Sequence, residues 1–259
     1  MTPAGFSLVK WYLDCVTDTG EVAILYSARV KWRGMSLAYS NFIGISGESR
    51  TERSSRRSAK IEPSADTITV AAFQGDLCGL WTAKAAPFER TVFKNEQGSV
   101  IWNCLQPSAA VRVTMEGRDW AGLGYAECLT LTLPPWKLPM QHLRWGRFVS
   151  TQDALAWIDW QGPYSLNLAI HNGRQLAEPQ ITDAEVSSAS ATLRMAESAS
   201  IRSGRLASTI LPGAPALARM FPSSMFSVEE KKWRSRGVLE TTDHRSLGWV
   251  IHEAVEWKV

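Results

Sequence analysis

The chain has 259 residues, of which 45% are hydrophobic and 20% are charged. This length predicts one or two domains, and the apolar content is high enough for a packed core and too high for a disordered chain. The 28 Lys and Arg residues and 25 Asp and Glu residues leave a net charge of +3, so the charge balance gives no reason to expect nucleic acid or an anionic membrane as a partner. No apolar run reaches the roughly 18 to 20 residues of a membrane-spanning helix, and residues 1–5 lack the pattern of a secretory signal. We therefore expect a cytoplasmic protein with no membrane span.

Short alternating runs bounded by Gly, Pro, Asn and Asp predict strands, whereas helical periodicity is rare. In chain order the predicted strands are residues 21–30, 67–73, 99–105, 109–115, 125–133, 155–160, 166–170, 193–201 and 249–257. Segment 49–60 is basic and rich in serine, which predicts a mobile loop, and RNA binding is not favoured because no aromatic side chains are interleaved with its charges. Segment 134–139 (PPWKLP) is the linker candidate, so the predicted domains are residues 1–135 and 136–259.

The two halves of the chain resemble each other. Four residues of the first half match residues 134 positions later: Trp11, Thr17, Ile24 and Tyr26 with Trp145, Thr151, Ile158 and Trp160. Four more match at an offset of 126: Gly122, Glu127, Leu129 and Leu131 with Gly248, Glu253, Val255 and Trp257. Matches at the beginning and end of each half are what a tandem duplication leaves. The sequence therefore predicts two β-barrels or sandwiches of similar plan.

Cysteine and tryptophan usage gives further expectations. The cysteines, Cys15, Cys78, Cys104 and Cys128, are far apart, which predicts buried free thiols and no metal site. Twelve tryptophans are enough either to fill wide β cores or to line a cavity for an apolar ligand, and both interpretations stay open. No phosphate loop, dinucleotide fingerprint, zinc-protease motif or hydrolase elbow is present, so no cofactor is predicted.

Several short motifs resemble one known superfamily. They are WYLD (11–14) with TDTGE (17–21), GDL (75–77), GLGYAE (122–127) and LRWGRF (143–148). They resemble the hydroxyneurosporene synthase (carotenoid 1,2-hydratase) superfamily, which also includes lipocalin-like Diels–Alderases and other cyclases. The resemblance implies an all-β chain of two tandem lipocalin-like β-domains, packed side by side, with a pocket for a hydrophobic substrate.

The same resemblance implies a cofactor-independent enzyme of a natural-product or carotenoid-type pathway. Its substrate would be a polyene-, polyketide- or terpenoid-like small molecule, and its reaction a cyclisation, an isomerisation or a hydration. The alternative is a lipocalin-like carrier that binds such a ligand without changing it. The oligomeric state stays open. Candidate substrate-binding residues are Trp11, Tyr26, Trp81, Tyr125, Trp145, Trp157, Trp160 and His171.

Strand parity sorts the candidate acids, since alternate residues share a face. Glu127 and Glu253 fall on the apolar faces of their strands, where each is either a general acid of raised pKa or the partner of an arginine such as Arg147. His252, Glu256 and Lys258 fall on the predicted wet side. Asp159 is predicted to point away from its own barrel, and His171, before an Asn-Gly turn, is either a rim residue or a base.

Asp14 with Tyr12 is the first choice for the catalytic pair. Both side chains leave one strand face, roughly 7 Å apart. The predicted counterpart of Asp14 is Phe148, so this acid is not part of the repeat. The resemblance implies that a carboxylic acid protonates a double bond, and burial near Trp11, Trp81 and Trp145 would keep it protonated. The alternative is that Asp14 caps the turn at residues 17–20. Glu127 and Asp159 are further catalytic candidates.

Overall fold

The computed structural model describes residues 5–205 and 227–257. The described residues form nineteen strands and two short 3-10 turns, at Phe73–Gly75 and Pro135–Lys137. The all-β prediction is therefore confirmed. No helix within the described ranges is long and apolar enough to cross a membrane. The chain divides into two compact units, Met1–Lys137 (unit 1) and Leu138–Val259 (unit 2).

Unit 1 is a curled antiparallel sheet. Its strands are β1 (Ser7–Val16), β2 (Val22–Trp32), β3 (Met35–Ser46), β4 (Ser49–Ser55), β5 (Lys60–Pro63), β6 (Thr67–Ala72), β7 (Leu77–Ala83), β8 (Phe88–Asn95), β9 (Gly98–Met115) and β10 (Arg118–Leu131). The spatial order is β4-β3-β2-β1-β10-β9-β7-β6-β5, and β8 pairs with β9.

Unit 2 repeats this plan. Its strands are β11 (His142–Val149), β12 (Ala154–Gln161), β13 (Leu166–His171), β14 (Arg174–Gln175), β15 (Gln180–Ile181), β16 (Glu185–Ser187), β17 (Ala191–Arg205), β18 (Glu229–Thr241) and β19 (Arg245–Glu256). The spatial order is β14-β13-β12-β11-β19-β18-β17-β16-β15. In each unit the first four strands follow in sequence and the last strand closes back onto the first, so the two units share one topology.

The strand register corrects the predicted alignment of the repeats. The first hairpin of unit 1 ends at Val16, opposite Val22, and that of unit 2 ends at Val149, opposite Ala154. Counting back from these ends makes Tyr12, and not Trp11, the equivalent of Trp145. The predicted offset of 134 is therefore wrong by one residue in the first strand.

Two further features follow from the corrected register. The counterpart of Asp14 is Arg147 rather than Phe148. The offset of 126 in the closing strands fits, because Tyr12 lies opposite Glu127 and Trp145 lies opposite Glu253.

Each sheet has one face that forms an apolar core. In unit 1 this core face carries Leu13 and Cys15 of β1 and Leu25 of β2, together with Trp81 and Trp120. In unit 2 it is formed by Phe148, Leu155, Trp157, Ala169, Leu176, Ile181, Val186, Ala191, Leu193, Leu239 and Val250. Tryptophan is thus core filler in both units. The predicted cavity-lining role of these rings stays a prediction.

Several local predictions are wrong. Segment 49–60, predicted as a mobile loop, contains β4 and the start of β5, because its polar residues pair with β3 as an edge strand in which exposed and half-buried positions alternate from Arg50 onward. Residues 99–105 and 109–115 form one strand with two bulges rather than two strands. The four cysteines are thiols rather than disulfides, but Cys78 is exposed and Cys128 half-buried rather than buried.

Candidate functional site

Buried acids and phenols meet on the face of the unit 1 sheet that lies opposite its core face. On β1, Tyr12 and Asp14 lie directly opposite Glu127 and Tyr125 of β10. Their parity excludes them from the core face, which carries Leu13 of the same strand. We call Tyr12, Asp14, Tyr125 and Glu127, with Trp102 of β9, the acid–phenol cluster.

Hydrogen bonds join each carboxyl group of the cluster to a phenol. The Tyr12 hydroxyl donates to Asp14 Oδ2 over 2.9 Å. The Tyr125 hydroxyl and Trp102 Nε1 both donate to Glu127 Oε2, over 2.7 and 2.6 Å. Two donors therefore converge on one oxygen of Glu127 and fix the orientation of this carboxyl group.

Tyr125 and the neighbouring Cys104 stay protonated at neutral pH. Burial raises the pKa of Tyr125 well above its ordinary value, and the nearby Cys104 and Glu127 raise it further. Burial also raises the pKa of Cys104, while a hydrogen bond with Tyr125 partly opposes this shift. Tyr125 is therefore a neutral donor, and Cys104 is not a thiolate nucleophile.

Two further tyrosine rings pack against the ring of Tyr12. The ring centroid of Tyr12 lies 5.3 Å from that of Tyr26 and 6.2 Å from that of Tyr125. From the core face, Trp81 Nε1 donates to the Asp14 carbonyl oxygen over 2.9 Å. This bond holds the backbone of Asp14 from the core face, while the bond from Tyr12 holds its side chain on the opposite face.

Asp14 does not close the neighbouring turn. It lies inside β1, opposite Tyr125 and Ile24. The turn after β1 is closed by Thr17, whose hydroxyl accepts from the Glu21 amide over 3.0 Å and whose carbonyl accepts from the Gly20 amide over 2.9 Å. The geometry is that of a buried strand residue rather than of a turn cap.

Unit 2 has different chemistry at the equivalent positions. Trp145 replaces Tyr12, Arg147 replaces Asp14, and Ile251 replaces Tyr125. The second glutamate, Glu253, forms an ion pair with Lys232, whose ammonium group lies 5.0 Å from the Trp145 ring. Arg147 donates to the Trp249 carbonyl oxygen over 2.7 Å. Glu127 and Glu253 are therefore equivalent in position and different in partners.

Three predictions about polar residues of unit 2 need correction. Asp159 has the same parity as the core residue Trp157, so it does not point away from its own barrel, and it pairs with Arg144 over 3.0 Å. His252 is buried rather than wet. Glu256 is exposed as predicted, and Lys258 lies outside the described residues.

The remaining candidates occupy separate places. Trp11 packs against the core of unit 1, and Trp160 Nε1 donates to the Pro139 carbonyl oxygen over 3.2 Å. His171 Nε2 lies 2.7 Å from Asp153 Oδ1. Within the described part of the chain, no group of His, Cys, Asp and Glu side chains is arranged to hold a metal ion.

Sequence reasoning missed two members of this neighbourhood. Trp102 and Cys104 lie in a predicted strand, but nothing in the sequence showed that this strand would pair with β10. A bulge between Gln106 and Cys104 places the side chains of Trp102 and Cys104 on the same face as that of Glu127. Bulges leave no reliable sequence signal, so strand alternation alone could not place these two residues.

Fold and site together define a lipocalin-like β protein with a buried acid–phenol cluster in its first unit. No family model matches the chain, and no curated protein matches its sequence. Solved structures do share its fold. A protein of Nitrosomonas europaea assigned as AttH superposes with a TM-score of 0.57 at 10% identity, covering 98% of this chain and 94% of that one.

Two other structures are similar to the same extent. Kievitone hydratase from Nectria haematococca has a TM-score of 0.55 at 10% identity, covering 98% of this chain and 90% of that one. CghA, solved with Sch210972, has a TM-score of 0.56 at 10% identity, covering 98% and 89%. The fold predicted from the motif resemblance is therefore confirmed.

Proposed function

We propose that the protein is an enzyme that acts on a hydrophobic, unsaturated small molecule by acid-assisted hydration, cyclisation or isomerisation, without an organic cofactor. One observation carries the proposal. Asp14 is 0% exposed, is bonded to the Tyr12 hydroxyl, and lies on a face lined with tyrosine rings. Burial of a carboxyl group is costly for folding, and it is typical of sites where a proton is transferred. The shared fold with kievitone hydratase and CghA supports the same class of chemistry.

Asp14 supplies the proton in this proposal. In a hydration, its carboxyl group protonates one carbon of a C=C bond, water adds to the resulting cation, and the proton released by that water returns to Asp14. In a cyclisation, the same group donates a hydrogen bond to a carbonyl oxygen and withdraws electron density from the reacting diene or dienophile. Both cycles leave the enzyme unchanged.

The rings of Tyr12, Tyr26 and Tyr125 stabilise positive charge that develops on the substrate. Asp14 and Tyr125 are 0% exposed, and Tyr26 and Glu127 are 8% and 9% exposed, so the proposed reaction takes place among buried side chains. The exclusion of water from this face strengthens each polar contact.

A matched pair of variants tests the proposal. Asp14→Asn keeps the shape of the side chain but cannot supply a proton, whereas Asp18→Asn removes an exposed acid four residues away. Binding of a panel of polyenes and polyketide-like molecules is followed by tryptophan fluorescence, and products are identified by mass spectrometry. We expect Asp14→Asn to bind the accepted substrate but to turn it over roughly 100-fold or more slowly, and Asp18→Asn to match the wild type.

Two other outcomes would contradict this proposal. Wild-type turnover by a folded Asp14→Asn variant would refute the role of Asp14. If the wild-type protein binds members of the panel and converts none of them, the protein is a carrier, the alternative that the sequence left open.

A further inference from the structure

A second polar array lies in unit 2, on the core face of the sheet. His252 of β19 lies opposite Gly146, where the ring of the core residue Trp157 occupies the space of the missing side chain. His252 is 6% exposed and Ser235 of β18 is 0% exposed, and Ser235 Oγ lies 2.8 Å from His252 Nε2. Ser198 Oγ of β17 lies 2.7 Å from Ser235 Oγ. We call Ser198, Ser235 and His252 the serine–histidine relay.

One end of this relay is open to solvent. Ser198 is exposed, in contrast to its two partners. Opposite the single residue Ser235, β17 has two residues, Glu197 and Ser198, because Ala196 pairs with Arg236 and Ala199 with Arg234. This β-bulge includes Glu197 at φ 52°, a left-handed conformation that is strained for a residue other than glycine. Bulges often re-aim side chains beside active sites.

The imidazole at the buried end is a hydrogen-bond acceptor. Burial lowers the pKa of His252 to about 4, with a further lowering from Lys232 and an opposing contribution from Asp183. His252 is therefore neutral at physiological pH. The Trp233 ring stacks on the imidazole at 5.2 Å and 27°, which holds the plane of the imidazole in place. With the proton on Nδ1, Nε2 accepts from Ser235, and Ser235 accepts from Ser198.

We propose that Ser198 is a nucleophile toward activated acyl groups such as aryl esters, with Ser235 and His252 as the positioning residues that accept its proton. Ser198 Oγ forms a bond to the ester carbonyl carbon. The proton of Ser198 passes to Ser235, and the proton of Ser235 passes to His252 Nε2. The aryloxide then leaves as the carbonyl is restored, and it takes up a proton from solvent. Water then attacks the acyl carbon and gives up one proton to solvent. His252 returns its proton through Ser235 to the Ser198 oxygen as the acid leaves.

The electrostatics limit the range of substrates. A weakly basic imidazole gives limited assistance, since general-base catalysis is most effective when the pKa of the base is near the working pH. Esters of alcohols that leave readily are therefore accepted, and alkyl esters are not. The relay uses no residue of the acid–phenol cluster, so this proposal and the proposed function can fail independently.

The test uses the full-length protein and a fluorophosphonate probe. Ser198 Oγ displaces fluoride from phosphorus, and mass spectrometry of peptides locates the adduct. His252→Gln keeps an acceptor for Ser235 but cannot take a proton, Ser235→Ala interrupts the relay, and Ser235→Thr preserves it. Ser200→Ala removes an exposed serine of the same strand and serves as the matched control.

We expect a single adduct on Ser198, formed roughly 100-fold more slowly in His252→Gln and Ser235→Ala, and at near wild-type rate in Ser235→Thr and Ser200→Ala. Absence of an adduct on the wild-type protein, or a labelling rate unchanged by His252→Gln, would overturn the proposal. So would labelling spread over several exposed serines. If Ser235→Thr does not fold, as judged by circular dichroism, the comparison of folded His252→Gln with the wild type decides.

Discussion

Asp14 and Arg147 occupy equivalent positions on the first strands of the two units, and both are buried, at 0% and 1% exposure. One fold thus places an acidic and a basic side chain at the same point of its repeat. The partner glutamates diverge in the same way, since Glu127 accepts from two neutral donors and Glu253 pairs with an ammonium group. The acid–phenol chemistry therefore belongs to unit 1, although both units share one topology.

The hydroxyl of Tyr12 is the first target for mutation. Tyr12→Phe keeps the ring packed against Tyr26 but removes the donor to Asp14 Oδ2. We expect turnover to fall roughly 10- to 100-fold and the free energy of unfolding to fall by about 1 kcal/mol, since a buried acceptor loses one hydrogen bond. Steady-state kinetics and urea unfolding measure the two effects.

Tyr39→Phe is the control for this experiment, because it removes a more exposed hydroxyl group of unit 1 that bonds with Ser54. We expect wild-type turnover from it. Equal losses in the two variants would mean that the Tyr12 hydroxyl has no particular role in the reaction.

The ion pair of unit 2 gives a stability prediction. Lys232 is 1% exposed and Glu253 is 15% exposed at the side chain. Lys232→Met leaves a largely buried carboxylate without its ammonium partner, and we expect a loss of about 2–4 kcal/mol in urea unfolding. The double variant Lys232→Met/Glu253→Leu should recover most of that loss, because replacing both charges removes the desolvation cost. An equal loss in both variants would contradict this account.

The topology could be predicted from the sequence further than the site could. Strand alternation, together with matches such as Glu127 with Glu253, was enough to predict two similar β units. A single offset of 134 is wrong in both hairpin strands: the hairpin ends give 133 for the first strands (Val16 and Val149) and 132 for the second (Val22 and Ala154), since the turn is one residue shorter in unit 2. A shift of one residue exchanges the two faces of a strand, which is why Asp14 was matched with Phe148.

Site residues far apart in the chain were harder to predict. The spacing of two between Tyr12 and Asp14 is enough to predict that they share one strand face. The contacts of Glu127 with Trp102, and of His252 with Ser235, depend on strand pairing and bulges. Parity within one strand carries no information on those contacts. The prediction of a wet His252 is wrong because β19 is buried on both faces at Val250, Ile251 and His252, so alternation there marks no wet side.

Asp153 is expected to make stability depend on pH. Burial of its carboxyl group would by itself raise the pKa. Hydrogen bonds from Ser246, His244 and His171 outweigh this effect and lower the pKa below its ordinary value. A lowered pKa in the folded state contributes stability above the unfolded pKa of about 4, and this contribution is lost as the pH falls through the folded pKa.

Asp153→Asn tests this expectation. We predict a loss of about 2–3 kcal/mol at pH 7, because the new amide group faces donors. The difference from the wild type should be constant above about pH 5 and should shrink as the pH falls below about 4. Urea unfolding at a series of pH values measures it, and Asp243→Asn, an exposed acid in the β18–β19 turn, should leave the wild-type profile unchanged. A pH-independent difference would exclude Asp153 as the source.

The cores of the two units fill equivalent space with different pairs of residues. In unit 1, Leu13 of β1 lies opposite Leu25 of β2, and in unit 2 the equivalent pair is Gly146 opposite Trp157. A Cβ atom on Gly146 would lie 2.2 Å from Cζ2 of the Trp157 indole, so the large ring occupies the space that the glycine leaves.

Gly146→Leu alone should therefore cost about 3 kcal/mol or more through overpacking. Trp157→Leu alone should cost about 3–5 kcal/mol through the cavity that it leaves. The double variant Gly146→Leu/Trp157→Leu recreates the unit 1 pair, and we expect it to be at least about 2 kcal/mol more stable than the sum of the single losses predicts. Urea unfolding of all four proteins measures the coupling, and additive losses would show that the two residues do not share one packing space.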